Sequence, residues 1–221
     1  MTVTERPRVT LHFAQSLDGR IALAGERTPL SSKAGFAMAH RARAEHDAVL
    51  VGRATVRVDD PRLGANGHED RHPRRIVLAS TLDIPAAARI LQGGPGTLVI
   101  GVEGRAPAQA RERLVAAGAE VRLVSAGDDG MVSLVEALSI IRRWGVGRLL
   151  VEGGARVLSS FLRHRLADEA TIEIVPRLLG APALAALGEI GVTALEHAVD
   201  LADTRVERAE ASVVVRGRLA Y

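Results

Sequence analysis

The sequence predicts an α/β domain built on a mostly parallel sheet with an antiparallel C-terminal hairpin and helices on both faces. Three observations carry this expectation. Strand-like apolar runs alternate with helix-like segments up to about residue 164, the pattern of parallel strands joined by crossover helices. Three further strand-like segments then follow without a helical pattern between them. The last two alternate polar and apolar side chains and meet at a short turn, as an antiparallel hairpin does. With 221 residues and 47% hydrophobic side chains, the chain can bury one sizeable core, and residues 1–221 are read as a single domain.

The elements follow in order. Thr10-Leu11-His12-Phe13-Ala14 is the first strand, and it runs into the turn sequence Ser16-Leu17-Asp18-Gly19-Arg20. A loop over 18–32 contains Gly25 and Pro29, and Ser32 is placed to cap a helix over 33–45. Residues 49–52 form a strand, with Arg53 and Thr55 on the first turn of a short helix; 59–73 is polar and turn-rich, hence a loop. Short strands are expected at 75–79 and 97–101. Pro107 opens a helix at a tolerated first-turn position, and Gly118 stops it. A strand at 120–124, an amphipathic helix over 132–143 ended by Gly145, a strand at 148–151 and a helix over 155–164 complete the alternation. The closing strands are 170–175, 205–209 and 212–219.

Composition excludes several classes. No run approaches the eighteen or so apolar residues of a membrane span, and the N-terminus lacks a signal-peptide pattern, so a cytoplasmic protein is expected. The chain has no cysteine, which fits a reducing compartment and excludes disulfides and thiolate-bound zinc; no metal site is expected. Net charge is +3 and the sequence pI about 10.4, because arginine replaces lysine throughout, Lys33 being the only lysine. Basic character of this kind suggests nucleic acid, but acids are interleaved with the arginines and aromatics are only 2%. Single-strand binding needs stacking platforms. Solvated helix faces explain the charge better, and the expected ligand is a small molecule.

Three strand-to-turn segments carry the chemistry. In Leu149-Leu150-Val151-Glu152-Gly153-Gly154-Ala155 an apolar strand ends in a carboxylate, then two glycines, then a helix start. Glycines let the backbone turn tightly and approach a ligand closely, and free N–H groups at the positive end of a helix dipole favour phosphate. In Val49-Leu50-Val51-Gly52-Arg53-Ala54-Thr55-Val56 the same arrangement sets a hydroxyl and an arginine at a helix start. The third segment is the one from Thr10 to Arg20. Taken singly, each also reads as an ordinary turn with solvated side chains.

Together these segments resemble the reductase family of riboflavin biosynthesis. The resemblance rests on Ser16-Leu17-Asp18-Gly19-Arg20, on His40-Arg41-Ala42-Arg43-Ala44-Glu45 leading to Asp47-Ala48-Val49-Leu50-Val51-Gly52, on Thr55 and Asp59-Asp60-Pro61-Arg62-Leu63, and on Val151-Glu152-Gly153-Gly154-Ala155. These motifs recur in the family's order from about residue 8 to residue 180. The resemblance implies a dihydrofolate-reductase-like fold, a homodimer, and NADPH-dependent reduction of the ribose of a ribosylaminopyrimidine 5′-phosphate to its ribityl form. Zinc nucleoside deaminases need a Pro-Cys-x-x-Cys motif; with no cysteine here, a reductase without the deaminase partner is expected.

Carried over residue by residue, the resemblance sets Ala14, Thr55, Asp59 and Ser80 beside the cofactor, and Gly153, Gly154, Ala155, Arg156 and the turn through Ser160 around its diphosphate. Arg53 is a candidate for the 2′-phosphate that distinguishes NADPH from NADH. Arg43, Leu63 and Glu152 match substrate contacts, with Arg43 assigned to the sugar phosphate. Asp18, Glu152 and water are the candidate proton donors. Two stretches depart from the family. Where bacterial members usually carry a Glu-Ser-x-Trp-Ile-Thr-like stretch touching both ligands, this chain reads Glu26-Arg27-Thr28-Pro29-Leu30-Ser31. Where the family usually continues Thr/Asn-x-Arg after Leu63, it reads Gly64-Ala65-Asn66. A phosphate contact is therefore expected to be lost or moved, with Arg62 or Arg27 as substitutes. Two other readings compete: a reductase of a related non-phosphorylated ring such as a dihydropterin, and a non-catalytic NADPH-binding protein. The C-terminal strands, apolar on one face at Val206, Val213, Val215 and Leu219, are the candidate dimer contact.

Overall fold

The computed structural model describes residues 6–68 and 70–221. The N-terminal half runs β1 (Arg8–Ser16), β2 (Arg20–Ala22), α1 (Lys33–Ala44), β3 (Ala48–Gly52), α2 (Arg53–Asp59), β4 (Arg74–Leu78) and β5 (Thr97–Val102). It continues through α3 (Ala108–Ala116), β6 (Glu120–Val124), α4 (Leu134–Arg143), β7 (Arg148–Gly153) and α5 (Ala155–Arg163). The chain closes with β8 (Glu169–Val175), β9 (Leu184–Ala185), β10 (Asp200–Ala209) and β11 (Ser212–Ala220). Nine strands form one sheet in the order β10-β11-β8-β1-β7-β3-β4-β5-β6, and β2 pairs with β9 in a separate ribbon. From β8 to β6 every neighbour is parallel; β11 and β10 pair antiparallel at one edge.

Period-two alternation sorts the central strands between two cores. Leu11 and Phe13 of β1, Leu50, Ile76, Leu98 and Leu149 face one side, where α4 contributes Leu134, Leu138 and Ile141, and α5 contributes Leu158, Phe161 and Leu162. Val49, Val51, Val77, Val99 and Leu150 face the other side, against Val56 of α2 and Leu114 of α3. The helices therefore cover both faces, as the sequence predicts. Their ends follow familiar local rules. Ser32 Oγ accepts the Gly35 N–H at 2.9 Å to start α1, and Ser133 caps α4 with Glu136 three residues on, a capping-box spacing.

Sheet order fixes where a ligand can enter. The chain steps outward from β1 through β3, β4 and β5 to β6, returns through α4 to lay β7 between β1 and β3, and then crosses to β8 on the far side of β1. In an open parallel sheet the crevice lies outside the carboxyl ends of the strands where the winding reverses. Here that place is the end of β1, β7 and β3.

Several boundaries differ from the sequence expectation. The loop over 18–32 holds β2, whose pairing with β9 lies far along the chain. The helix expected from 132 begins at Leu134, because Val132 forms an isolated bridge with Ala126. β10 begins at Asp200 and not at 205, since a register shift between Ala202 and Arg205 interrupts its alternation. Leu219 packs against the α4/α5 core instead of lying on a free face. Among the described residues no helix is long and apolar enough to cross a membrane.

Candidate functional site

A cleft of about 590 Å³ opens at the predicted crevice. Its floor is Ala14 of β1, Val51 of β3 and Glu152 of β7; α1 supplies Phe36, His40 and Arg43, and α2 supplies Thr55 and Asp59. Segments 25–31 and 61–66 form the rim.

One wall is built from backbone. Gly153 and Gly154 both have positive φ, +94° and +88°, at the start of α5, and no side chain caps that helix. A Cβ on Gly154 would come within 3.3 Å of Thr55 Oγ1, and one on Gly52 within 2.8 Å of Val157 Cγ2. Glycine at these positions thus allows the starts of α2 and α5 to close on each other. The result is a concave surface edged by a hydroxyl and helix-start N–H groups, a fit for a diphosphate.

The opposite wall is ionic. Arg43 Nε and Nη2 donate to the two Glu152 carboxylate oxygens, each at 2.7 Å, and Nη1 donates to the Gly64 carbonyl at 3.1 Å. Both side chains are largely buried, at 18% and 11% exposure. Burial works to raise the Glu152 carboxyl, but the Arg43 charge and its hydrogen bonds outweigh burial and hold it below its ordinary value. The carboxylate is ionised at neutral pH and accepts hydrogen bonds. His12, on the same face of β1 as Ala14, has no side-chain hydrogen bond among the described residues; burial lowers its pKa, with Glu152 pulling the other way. The Asn66 N–H donates to His40 Nδ1 at 3.1 Å, so α1 holds segment 61–66 at two points. Helix α1 itself is anchored at its start, where Ser32 N and Oγ donate to the buried Glu173 carboxylate of β8 at 3.1 and 2.9 Å.

The sequence-predicted residues Ala14, Arg43, Thr55, Asp59, Leu63, Glu152 and Gly154 all line this one cleft. Burial raises the Asp59 carboxyl above its ordinary value, and Arg27 draws it part of the way back. Gly153, Ala155 and Arg156 adjoin the turn without lining the cleft. Three residues are elsewhere. Arg53 reaches Asp83 at 2.6 Å on the exposed flank of α2, sharing it with Arg57. Ser80 is buried beyond β4, its Oγ 3.9 Å from Met131 Sδ. Asp18 serves a turn: it accepts hydrogen bonds from Ser16 Oγ and from the N–H groups of Leu179 and Gly180. These bonds, the Ser16 hydroxyl foremost, hold its carboxyl down at about 2, so it has no proton to donate at neutral pH. Sequence reasoning left out His12, Phe36, His40 and Arg89. The alternation of β1 was the available signal for His12, since it shares the face of Ala14.

Residues 7–215 match the family described as RibD C-terminal domain. The chain belongs to the RibD C-terminal domain family. It is 32% identical over 214 residues to the riboflavin biosynthesis protein RibD of Aquifex aeolicus, aligning 96% of its own length with 57% of that longer protein. It is 35% identical over 186 residues to the 2,5-diamino-6-ribosylamino-4(3H)-pyrimidinone 5′-phosphate reductase of Archaeoglobus fulgidus, covering 79% of this chain and 83% of that one. Among solved structures, RibD of Acinetobacter baumannii superposes with a TM-score of 0.84 at 26% identity, over 99% of this chain and 59% of that one. A dihydrofolate reductase from Enterococcus faecalis superposes with a TM-score of 0.51 at 15% identity, over 96% of each chain. That likeness shows the dihydrofolate-reductase-like fold alone.

Proposed function

We propose that this chain reduces the ribosyl group of a ribosylaminopyrimidine 5′-phosphate to the ribityl form, with NADPH as reductant, in riboflavin biosynthesis. The observation that carries this is the coincidence of family and site. A member of a family with named reductases has most of its family-matched residues gathered in one cleft at the switch point of the sheet. Bound NADPH supplies the hydride. The Gly153-Gly154 turn and Thr55 hold its diphosphate, and Ala14 and Asp59 line its slot.

Opening the ribosylamine ring gives an imine at C1′ and a free 4′-hydroxyl; hydride addition to C1′ and protonation of the imine nitrogen then give the ribityl amine. Ionised Glu152, fixed by Arg43, orients the substrate by accepting from a ring amide or sugar hydroxyl. Glu152 and Asp18 are both held ionised, so of the three candidate donors water is the one left to supply the proton. Steady-state NADPH oxidation with the phosphorylated pyrimidine, its dephosphorylated riboside and a dihydropterin tests the proposal. Turnover with the phosphorylated pyrimidine is expected; turnover with the dihydropterin alone contradicts it.

The same reading includes a homodimer. Val206 (65% exposed) and Val213 (37% exposed) lie on the outer hairpin, and Val206 is paired with Val215; β10 is the free edge of the sheet. This edge and its valines support pairing with a second copy. A monomer by light scattering at micromolar concentration would rule the dimer out. The cysteine-free composition supports a reducing, cytoplasmic location.

A further inference from the structure

We infer that Glu173, on a strand that adds no residue to the cleft, is a positioning residue for the substrate, acting through Ser32 on helix α1. The inference deepens the proposed reduction and rests on it for the identity of the substrate. Helix α1 carries Phe36, Ala39, His40 and Arg43 into the cleft, yet few apolar contacts hold it to the sheet. Gly35 and Ala39 are its only buried residues, and neither removes much apolar surface from water. The helix is held by polar contacts, and its two ends differ. Behind its end, residues 45–47 alone lead into β3, and His46 bridges the Ala42 carbonyl and Thr10 Oγ1 at 2.7 and 3.2 Å. That end is tethered. The start follows the loop 23–31, which has no strand or helix of its own, and its polar fastening to the sheet is Glu173.

One oxygen makes that fastening. Glu173 Oε1 accepts both the N–H and the hydroxyl of Ser32, at 3.1 and 2.9 Å, while Ser32 Oγ accepts the Gly35 N–H at 2.9 Å. The Ala209 carbonyl lies farther from Oγ, at 3.5 Å. Glu173 is 4% exposed and has no ion pair among the described residues. Its charge is offset by the start of α1, where the helix dipole is positive and N–H groups are free. Parting the two would leave a buried carboxylate without its donors, which is costly, so the contact confines α1 to one position. Gly35 permits the approach, since a Cβ there would overlap the carboxylate. Glu173 also lies beside Ala14 in the sheet, so the strand pair that floors the cleft fixes the helix walling it. With the contact broken, α1 turns about its tethered end. Phe36, Ala39 and His40 then move more than Arg43, and the rim segment 25–31 moves with them.

The test compares wild type with Glu173→Leu, Glu173→Gln, Ser32→Ala and Glu173→Leu/Ser32→Ala. Each is followed by thermal unfolding, by NADPH affinity, and by KM and kcat for the ribosylaminopyrimidine 5′-phosphate. The Asn66 amide signal is recorded by nuclear magnetic resonance in isotope-labelled protein without ligands. In Glu173→Leu, KM should rise about tenfold with kcat within about threefold, as when the binding-competent arrangement falls to about a tenth of the population. Glu173→Gln keeps an oxygen for Ser32 and should hold KM within about threefold of wild type. Ser32→Ala should raise KM, and the double variant should add little to Glu173→Leu, because both residues act through one contact. NADPH affinity should stay within about twofold, the diphosphate turn being built by the starts of α2 and α5. The Asn66 N–H, which donates to His40 Nδ1 at 3.1 Å, should shift toward its position in His40→Ala. A lowered melting temperature with KM and the Asn66 signal unchanged would make the contact structural only and overturn the inference. So would a Glu173→Gln variant as impaired as Glu173→Leu. Should Glu173→Leu not fold, Ser32→Ala decides the same comparison. If wild type turns over no pyrimidine, the functional reading fails by itself, while the Asn66 signal still decides whether Glu173 places α1.

Discussion

Replacing Arg43 by alanine probes the junction on which the site depends. The substitution leaves the Glu152 carboxylate, 11% exposed, without the two 2.7 Å bonds it accepts. Removing one partner of a buried pair typically costs about 3–5 kcal/mol. The pair borders an open cleft where water can reach the carboxylate, so the low end, about 3 kcal/mol, applies. For a chain of this length that is a fall in Tm of roughly 6–12 °C. The effect should also depend on pH. In the wild type the Glu152 pKa is depressed, so its contribution is present above the unfolded carboxylate value and lost only as pH falls through the folded one. In the variant, burial without Arg43 raises the folded pKa, so stability should decrease as pH rises above the unfolded glutamate value, about 4.3. The gap between variant and wild type should therefore widen as pH rises from about 4 toward neutrality. Replacing both partners, in Arg43→Leu/Glu152→Met, should recover much of the loss. Denaturant unfolding at several pH values measures all of this. A cost below about 1 kcal/mol that is flat with pH would show that the pair does not hold the wall.

Gly154→Val should abolish NADPH binding in a folded protein, because Gly154 has φ +88° and its Cβ would meet Thr55 Oγ1 at 3.3 Å; wild-type affinity with an unchanged circular dichroism spectrum would remove the diphosphate assignment. Arg53→Ala should leave the NADPH/NADH preference within about twofold, well under the ~1.4 kcal/mol of a tenfold change, since Arg53 is paired with Asp83 outside the cleft; a tenfold loss would restore it as the 2′-phosphate contact. Gly35→Ala should cost about 1–3 kcal/mol in thermal or denaturant unfolding, because its Cβ would overlap the Glu173 carboxylate that anchors α1; an unchanged midpoint would show that this close approach is not needed.

What the sequence made legible was local or periodic. The alternation of β1 and β3 and the Glu152-Gly153-Gly154 turn are written in consecutive residues, and they sufficed to put most of the family-matched residues in one cleft. Pairings across long stretches of chain were not legible. Arg43 and Glu152 are 109 positions apart, and nothing near Arg43 distinguishes a guanidinium held by a buried carboxylate from one free to hold a phosphate. Arg53 and Asp83, 30 positions apart, raise the same difficulty, and Asp18 is claimed by backbone groups of Leu179 and Gly180 that no motif announces. The ribbon of β2 and β9 was missed because three and two residues are too few for a periodic signal. The start of β10 was missed because the register shift breaks the alternation that would reveal it.

Tracing the hydride tests the account most directly. NADPH carrying deuterium at its transferable nicotinamide position is mixed with enzyme and the ribosylaminopyrimidine 5′-phosphate, and the product is examined by mass spectrometry and nuclear magnetic resonance. One deuterium per product is expected, at C1′ of a ribityl chain, with one NADPH consumed for each. Deuterium in the heterocyclic ring, or NADPH bound but never oxidised in the presence of this substrate, would contradict it.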